Sequence, residues 1–241
     1  MPDALAVLDQ ALALDGAYAQ AWLARGNVFR AKDQFPDALE GYERVRCAAA
    51  RLCGSLGNIG VCLQDMGKYG ERLEAYDQAI SIQPDYARAW MNKSTVELLL
   101  GDFSSGWAHY ECRWRTDSAE VYRHDGIPTL TDLRRVAGER ILAWSEQGLG
   151  DTIQFNRYVR MLAEAGVEVV FEVQAALRGL FAGQMGTAMI SMGEDPGRID
   201  FQTPLLNLPR LFGTTESSVP GETLYLKAQP DVIAHWRQRL L

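Results

Sequence analysis

The sequence is poor in the residues that hold a protein together covalently or through a metal. Its 241 residues include only four cysteines, and no two of them form a Cys-x-x-Cys pair. They are Cys47, Cys53, Cys62 and Cys112. The three histidines, His109, His124 and His235, lie far apart and show no metal-ligand spacing. We therefore expect reduced, packed thiols and no metal site.

Long apolar runs and an excess of basic charge are also missing. No run approaches the roughly 20 apolar residues of a membrane span, and the start Met1-Pro2-Asp3 does not resemble a secretion signal. The 24 basic residues are outnumbered by 31 acidic ones, and a net charge of -7 disfavours general attraction to nucleic acid or anionic lipid. We expect a soluble, cytoplasmic, globular protein with no nucleic-acid partner and no membrane span.

What the sequence does contain is a repeat. Similar residues recur at intervals of 34 in three columns, and two tryptophans lie two intervals apart. The columns are Phe35, Tyr69 and Phe103; Tyr42, Tyr76 and Tyr110; Gly26, Gly60 and Ser94; and the tryptophans are Trp22 and Trp90. The apolar spacing between these columns is helical, so each interval predicts a helical hairpin. In the first hairpin, the two helices are expected to approach closely where Gly26 faces Ala38.

This pattern closely resembles the tetratricopeptide repeat over residues 4–114. A half repeat at 4–14 would precede repeats near 19–50, 53–84 and 87–115, and residues 1–115 would form the repeat domain. The resemblance implies an α-solenoid whose groove binds a protein or an extended peptide. Arg72 departs from the pattern, which has a small residue at that position. Arg72 must then either extend its charged end to water or find an acid.

Asparagines recur on the predicted groove side of the repeats. Asn58 and Asn92 share one repeat position, and Asn27 is a weaker third member. An amide both donates and accepts, which suits pairing with a peptide backbone. A similar asparagine ladder lines the repeats of the O-linked N-acetylglucosamine transferases, which this segment resembles. The resemblance implies a peptide groove, and a solvated or structural role is the alternative.

The 34-residue register ends after Trp114. Residues 116–139 are polar and lack periodicity, as a linker would. From residue 140, short strands alternate with helices, which predicts a parallel sheet covered on both faces in a Rossmann-like α/β domain at 140–241. The predicted strands are 141–144, 167–173, 187–190, 199–202 and 223–227, and the predicted helices include one through Phe155, Tyr158, Val159 and Leu162, then 175–182, 204–211 and 230–241.

A glycine loop follows the first strand of this domain. It reads Glu146-Gln147-Gly148-Leu149-Gly150-Asp151. Open parallel sheets bind ligands at this edge, and glycines permit a close backbone approach and positive φ. A dinucleotide loop needs a third glycine or alanine where Ile153 stands, although Glu172 ends the second strand at a suitable distance. In a purely structural interpretation, Asp151 is the N-cap of the next helix.

A third interpretation comes from resemblance. Residues 141–173 look like the opening of the heptosyltransferase-like glycosyltransferases, which have the two-lobed GT-B fold. The resemblance implies that Asp151 is the general base toward the acceptor hydroxyl. Glu146, Gln147, Gly148 and Gly150 would form the acceptor or ligand loop. The chain also resembles bacterial proteins in which tetratricopeptide repeats are joined to a domain of this type.

Only about 101 residues follow Arg140, whereas two GT-B lobes, each a domain of ordinary size, need more than about 300 residues. We therefore expect a fragment of a longer enzyme: the acceptor-side lobe without the donor lobe. Whether the chain is an enzyme stays open, and alone it should be inactive. A nucleotide sugar would bind only with the second lobe present, and no cofactor is predicted. The alternative is a non-catalytic adaptor. Arg157 and Arg160 form either a solvated face or an anion contact.

Overall fold

In a computed structural model of the protein, the described residues are 2–48, 58–60, 62–63, 65–117, 119–134, 136–221 and 225–240. The chain divides into two compact units, Met1–Ala119 and Glu120–Leu241, which we call unit 1 and unit 2. The division into a repeat domain ending at 115, a linker and an α/β domain beginning at 140 stays a prediction. No helix within the described ranges is long and apolar enough to cross a membrane.

All the described secondary structure of unit 1 is helical. The helices pair in sequence as α2 with α3 and α5 with α6, and α4 follows the helical residues 58–60, 62–63 and 65. Their bounds are α1 Pro2–Leu14, α2 Ala19–Arg30, α3 Phe35–Ala48, α4 Tyr69–Ile82, α5 Ala87–Leu99 and α6 Phe103–Tyr110. A 3-10 helix, Glu111–Arg115, continues from α6. The predicted helical hairpins are therefore confirmed for α2 with α3 and for α5 with α6, while residues 53–57, the start of the predicted repeat 53–84, lie outside the described residues.

The turn inside each hairpin has the same backbone geometry three times, at intervals of 34 residues. A positive φ occurs at Asp33 (58°), Gly67 (71°) and Gly101 (88°), as is common just beyond a helix end. The next residue then donates its N–H to a carbonyl five positions back. These bonds are Gln34 to Phe29 (3.0 Å), Lys68 to Leu63 (2.8 Å) and Asp102 to Glu97 (2.9 Å). The 34-residue period seen in the side chains is therefore also present in the backbone hydrogen bonds of the turns.

Glycines in the first helices allow tyrosines of the second helices to pack against them. A Cβ placed on Gly26 would lie 2.6 Å from a ring carbon of Tyr42, and one on Gly60 would lie 2.7 Å from the Tyr76 hydroxyl. Tyr42 and Tyr76 are fully buried and Tyr110 is 8% exposed. All three tyrosines of the column are thus buried, and at Gly26 and Gly60 only a residue without a side chain leaves room for the ring.

Arg72 neither reaches water nor finds an acid. It is 4% exposed, and its Nε donates to the Tyr76 hydroxyl at 3.0 Å. Its guanidinium carbon lies 5.3 Å from the Tyr76 ring centroid. Among the residues that the structure describes, no carboxylate forms an ion pair with it. The side chain therefore depends on a neutral hydroxyl and an aromatic ring for stabilisation.

Two of the four thiols are described. Cys62 and Cys112 are free and buried, as predicted. Burial raises the pKa of the Cys62 thiol, so it is held in the neutral, unreactive form. Cys53 and the side chain of Cys47 lie outside the described residues.

Unit 2 contains a four-stranded parallel sheet in the order β3-β2-β1-β4. The strands are β1 Arg140–Trp144, β2 Glu168–Val173, β3 Ala188–Ser191 and β4 Phe201–Pro204. At the carboxyl end of β1, Trp144 pairs with Glu172 on one side and with Pro204 on the other. The chain thus runs outward from β1 to β2 and β3 and then returns to the opposite side. This order places a topological switch point between β1 and β4.

The helices of unit 2 differ in detail from the prediction. The helix after the glycine loop is interrupted at Asn156, giving α7 Leu149–Phe155 and α8 Arg157–Glu164. The predicted helix 204–211 is a 3-10 turn, Leu205–Asn207, followed by the short α10 Leu208–Leu211. The remaining helices are α9 Ala175–Phe181 and α11 Pro230–Leu240. Of the predicted strand 223–227, residues 225–227 have no strand structure and the rest lies outside the described residues.

Residues 120–139 contribute packing to unit 2. Leu130 and Val136 are each 3% exposed. Gln202 of β4 donates its N–H to the Pro128 carbonyl and accepts from the Leu130 N–H, at 2.9 and 2.8 Å. The segment therefore covers the outer edge of β4, which would otherwise present unpaired backbone groups.

Candidate functional site

The glycine loop lies at the carboxyl edge of β1, where the fold places the switch point. Gly148 is the N-cap of α7, and the Asp151 carboxylate accepts its N–H at 3.0 Å. The prediction that Asp151 itself is the N-cap was wrong, because the helix begins three residues earlier and Asp151 occupies its first turn. The carboxylate nevertheless stabilises the helix start, since it satisfies one exposed backbone donor.

Positive φ in this loop belongs to Gln147 (59°) and to neither glycine, contrary to the prediction. The Gln147 N–H donates to the Glu120 carboxylate at 3.1 Å, and its carbonyl accepts from Gln174 at 3.4 Å. Gln174 also accepts from the Thr152 hydroxyl at 2.9 Å. The strained residue is thus held by bonds to two other parts of unit 2, as is common at functional sites.

Glu146 bridges the switch point. Its carboxylate accepts the N–H of Leu206, which follows β4, at 3.0 Å, and the residue is 1% exposed. Gly150 has open space at the position of a Cβ. The predicted loop residues therefore divide into an internal support, Glu146, and a more exposed rim around Gly148, Gly150 and the partly exposed Asp151. Their predicted roles toward a ligand stay a prediction.

The carboxylate that a dinucleotide would need is already occupied. Glu172 is 1% exposed, and it contacts Arg123 at 3.0 Å and the His124 Nε2 at 3.0 Å. Arg123 also donates to the Ser145 carbonyl and lies over the Trp144 ring, 4.6 Å from its centroid. These contacts disfavour the dinucleotide interpretation, because Glu172 has no free approach for a ribose hydroxyl.

The segment around Arg123 is the part of the site that the sequence did not reveal. Tyr122 packs edge-on against Trp144 with ring centroids 5.5 Å apart. The Trp144 Nε1 donates to Gln202 at 2.6 Å, and Gln202 donates to the Tyr122 hydroxyl at 2.9 Å. These contacts join residues that are separated by 22 to 80 positions in the sequence. The segment that contains Tyr122 has no periodic pattern, so the sequence does not predict which distant residues it contacts. Trp144 is fully buried.

In unit 1, the three predicted groove asparagines have different surroundings. Asn27 is exposed, and its side-chain oxygen accepts from the Tyr42 hydroxyl at 2.9 Å. Asn58 and Asn92 are half-buried. The Asn92 amide interacts with the Tyr76 hydroxyl, whose pKa is nevertheless raised, chiefly by burial. Two of the asparagines therefore contact the tyrosine column, while their role toward a peptide stays a prediction.

Comparison with known proteins identifies the repeat. The sequence profile of the tetratricopeptide repeat matches residues 54–86, within unit 1. The match identifies a tetratricopeptide repeat sequence at this place in unit 1. The equivalent turn bonds at Gln34 and Asp102 give the hairpins on either side the same turn geometry.

Protein FlbA of Caulobacter vibrioides is similar along most of the chain. It is 24% identical over 282 aligned positions, which cover 85% of this chain and 47% of FlbA. The chain therefore spans about half the length of this relative. Since each unit is about half of the chain, the similarity includes parts of both.

Solved structures are similar to part of the chain. The crystal structure of MamA is 22% identical, with a TM-score of 0.43, and the alignment covers 46% of this chain and 65% of that one. YrrB, described as a TPR protein with an unusual peptide-binding site, is 20% identical with a TM-score of 0.40, covering 47% and 58%.

Proposed function

We propose that unit 1 is a protein-interaction scaffold that holds an extended peptide along the first helices of its repeats. The observation that carries the proposal is the threefold recurrence of one turn geometry at 34-residue intervals. Repeats in one register present the same helix positions side by side, which suits a ligand with a regular backbone.

Asn58 and Asn92 are the residues assigned to that ligand. They are one repeat apart and half-buried, so a hydrogen bond to a peptide forms partly shielded from water. Asn27 has a lesser role, because it is exposed and a hydrogen bond from it to a peptide would compete with water.

Hydrogen exchange on the full chain tests this function. Peptides are first selected from a displayed random library and then added to the protein. Protection from exchange should appear in α2 and α5, the first helices of their hairpins. Protection confined to unit 2 would contradict the proposal.

We further propose that unit 2 is the acceptor-side lobe of a sugar-transferring enzyme, with Asp151 as the general base. The specific observation in favour is the strand order, which places the loop of Asp151 beside a switch point. The described contacts of Asp151 use one carboxylate oxygen, Oδ2, so the other is available to take a proton from an acceptor hydroxyl. A cytoplasmic location is part of this proposal.

The donor would be a nucleotide sugar bound by a second lobe outside this sequence. Calorimetric titration of this chain with uridine, guanosine and adenosine diphosphate sugars should therefore show no binding. Micromolar binding would contradict the missing-lobe proposal. In a longer protein that includes that lobe, Asp151→Asn should slow transfer about 10²–10⁴-fold. Full activity of that variant would favour the alternative, a non-catalytic adaptor.

A further inference from the structure

The last helix of unit 2, α11, is exposed on each side that the structure describes. None of its described side chains is buried. The helix has 11 residues, and isolated helices shorter than about 12–15 residues are only marginally stable in water. In a folded protein, most of the stability of such a helix comes from packing an apolar face. A partner that covers α11 would therefore stabilise it.

One side of α11 forms an apolar stripe. Val232, Trp236 and Leu240 recur at intervals of four, so they lie on one face of the helix. Ile233 lies beside them. The exposed fractions are 44% for Val232, 39% for Ile233, 52% for Trp236 and 80% for Leu240. Apolar side chains at this spacing are typical of helices that dock on a partner, because together they fill one continuous contact.

Arginines border the stripe on both sides. Arg237 is one turn from both Ile233 and Leu240, and Arg239 is one turn from Trp236. The Arg239 guanidinium carbon lies 5.3 Å from the Trp236 ring centroid. Neither arginine forms an ion pair with a carboxylate that the structure describes. A surface that covers the stripe is therefore complementary when its own apolar side has acidic borders.

A second copy of α11 does not supply those acidic groups. The one acidic residue of the helix, Asp231, is five positions before Trp236 and so about 140° around the helix axis from it. Two copies packed stripe to stripe would bring arginines, and no carboxylate, to the borders of the contact. An anionic membrane surface is disfavoured by the net charge of -7 on the chain.

We propose that α11 docks on an amphipathic helix of another protein whose apolar side is bordered by Asp or Glu. The two apolar sides pack with Trp236 as the central anchor, and the partner's carboxylates pair with Arg237 and Arg239. Tryptophan and arginine are the residue types that contribute most often to the strongest contacts of an interface. The surface lies in unit 2 and is independent of the peptide groove proposed in unit 1 and of Asp151.

Fluorescence anisotropy with two labelled synthetic peptides tests this docking on the full chain. Both peptides have leucine at the a and d positions of helical heptads. One has glutamate at the flanking e and g positions, and the other has lysine there. The glutamate peptide should bind at least about tenfold more tightly, because the lysine peptide would place like charges beside the arginines. Equal affinities, or no binding of the glutamate peptide, would overturn the proposal.

Variants of α11 separate this docking from binding elsewhere on the chain. Trp236→Ala should weaken binding of the glutamate peptide about tenfold or more. Arg237→Glu/Arg239→Glu should reverse the preference, so that the lysine peptide binds more tightly. Gln238→Glu is the matched control, since Gln238 is exposed and lies about 200° around the helix from Trp236. It should keep the wild-type preference. An unchanged preference in the double arginine variant would contradict the proposal.

Two further measurements test the other ways of covering the stripe. Sedimentation equilibrium should show no dimer that depends on Trp236. Vesicles of phosphatidylserine and phosphatidylcholine should show no binding that depends on Trp236. A dimer or a vesicle complex that is lost in Trp236→Ala would overturn the proposal, because the stripe would then be covered by a second copy or by lipid.

Discussion

The Tyr42 hydroxyl donates a hydrogen bond to the side-chain oxygen of Asn27 over 2.9 Å, linking the second helix of a repeat to the first. Tyr42 is fully buried, and burial raises its pKa to about 12. The same residue that fills the space beside Gly26 thus also fixes a predicted groove residue. Its ionisation should be visible in the stability of unit 1.

Tyr42→Phe should lower the free energy of unfolding by about 1 kcal/mol near neutral pH, through the lost hydrogen bond. In the wild type, the folded state keeps the phenol proton above pH 10, where the unfolded chain releases it. The contribution of Tyr42 is therefore complete below about pH 10 and is lost as pH rises toward 12. Urea unfolding at about pH 8 and pH 11 should show a smaller difference between the two proteins at the higher pH. An equal difference at both would contradict the raised pKa.

Gly60→Ala should destabilise the protein by about 1–3 kcal/mol, because its Cβ would overlap the Tyr76 ring and hydroxyl. Gly70→Ala is the matched control, since its Cβ meets nothing within 4 Å. It lies in the first turn of α4, where alanine is at least as favourable as glycine, so the variant should be neutral or slightly stabilising. Thermal or urea unfolding of both variants measures the contrast, and equal effects would remove the close-contact role of Gly60.

The two halves of the chain were predictable from the sequence to different degrees. In unit 1 the same contact, a tyrosine ring against a glycine, recurs between repeats. Gly26 with Tyr42 and Gly60 with Tyr76 are therefore seen in the sequence as residues repeated at intervals of 34. Strands β1 and β2 were also predictable, because a buried parallel strand is a short apolar run. Arg72 was not, since nothing in the pattern indicates that a tyrosine hydroxyl one turn away would accept its Nε–H.

The site in unit 2 was predicted only as a loop. The six residues 146–151 were identified from the glycines beside a strand end, but their geometry was not. Whether Gly148 or Asp151 caps α7 depends on the backbone path over three residues, which local sequence does not determine. The contact of Arg123 and His124 with Glu172 joins residues that are far apart in the sequence. It occurs once and is not repeated along the chain, so no sequence pattern predicts it.

Glu172→Gln should destabilise unit 2 by about 3 kcal/mol, because Arg123 and His124 would lose their carboxylate beside the buried strand end. Glu194→Gln is the matched control, since Glu194 forms an exposed pair with Arg178. It should change the free energy of unfolding much less. If urea unfolding gives both variants the same loss, the Glu172 cluster does not support the fold as described.

Asp151→Asn should cost little stability, because the amide oxygen can still accept from the Gly148 N–H. Asp151→Ala removes the acceptor of the Gly148 N–H and should cost about 1 kcal/mol, the net contribution of one hydrogen bond. Melting curves of the two variants, measured on this chain, test the structural half of the role of Asp151. Equal melting temperatures would mean that the bond to Gly148 contributes nothing to the start of α7.

The proposed binding of a peptide through Asn58 and Asn92 is tested most directly by the fluorescence anisotropy of a selected, labelled peptide. The double variant Asn58→Ala/Asn92→Ala should lose about 1–3 kcal/mol of binding free energy, at roughly 0.5–1.5 for each hydrogen bond. Gln78→Ala, which removes an exposed amide from the second helix α4, is the control and should bind as the wild type does. Unchanged affinity of the double variant, with its fold intact, would contradict the claim.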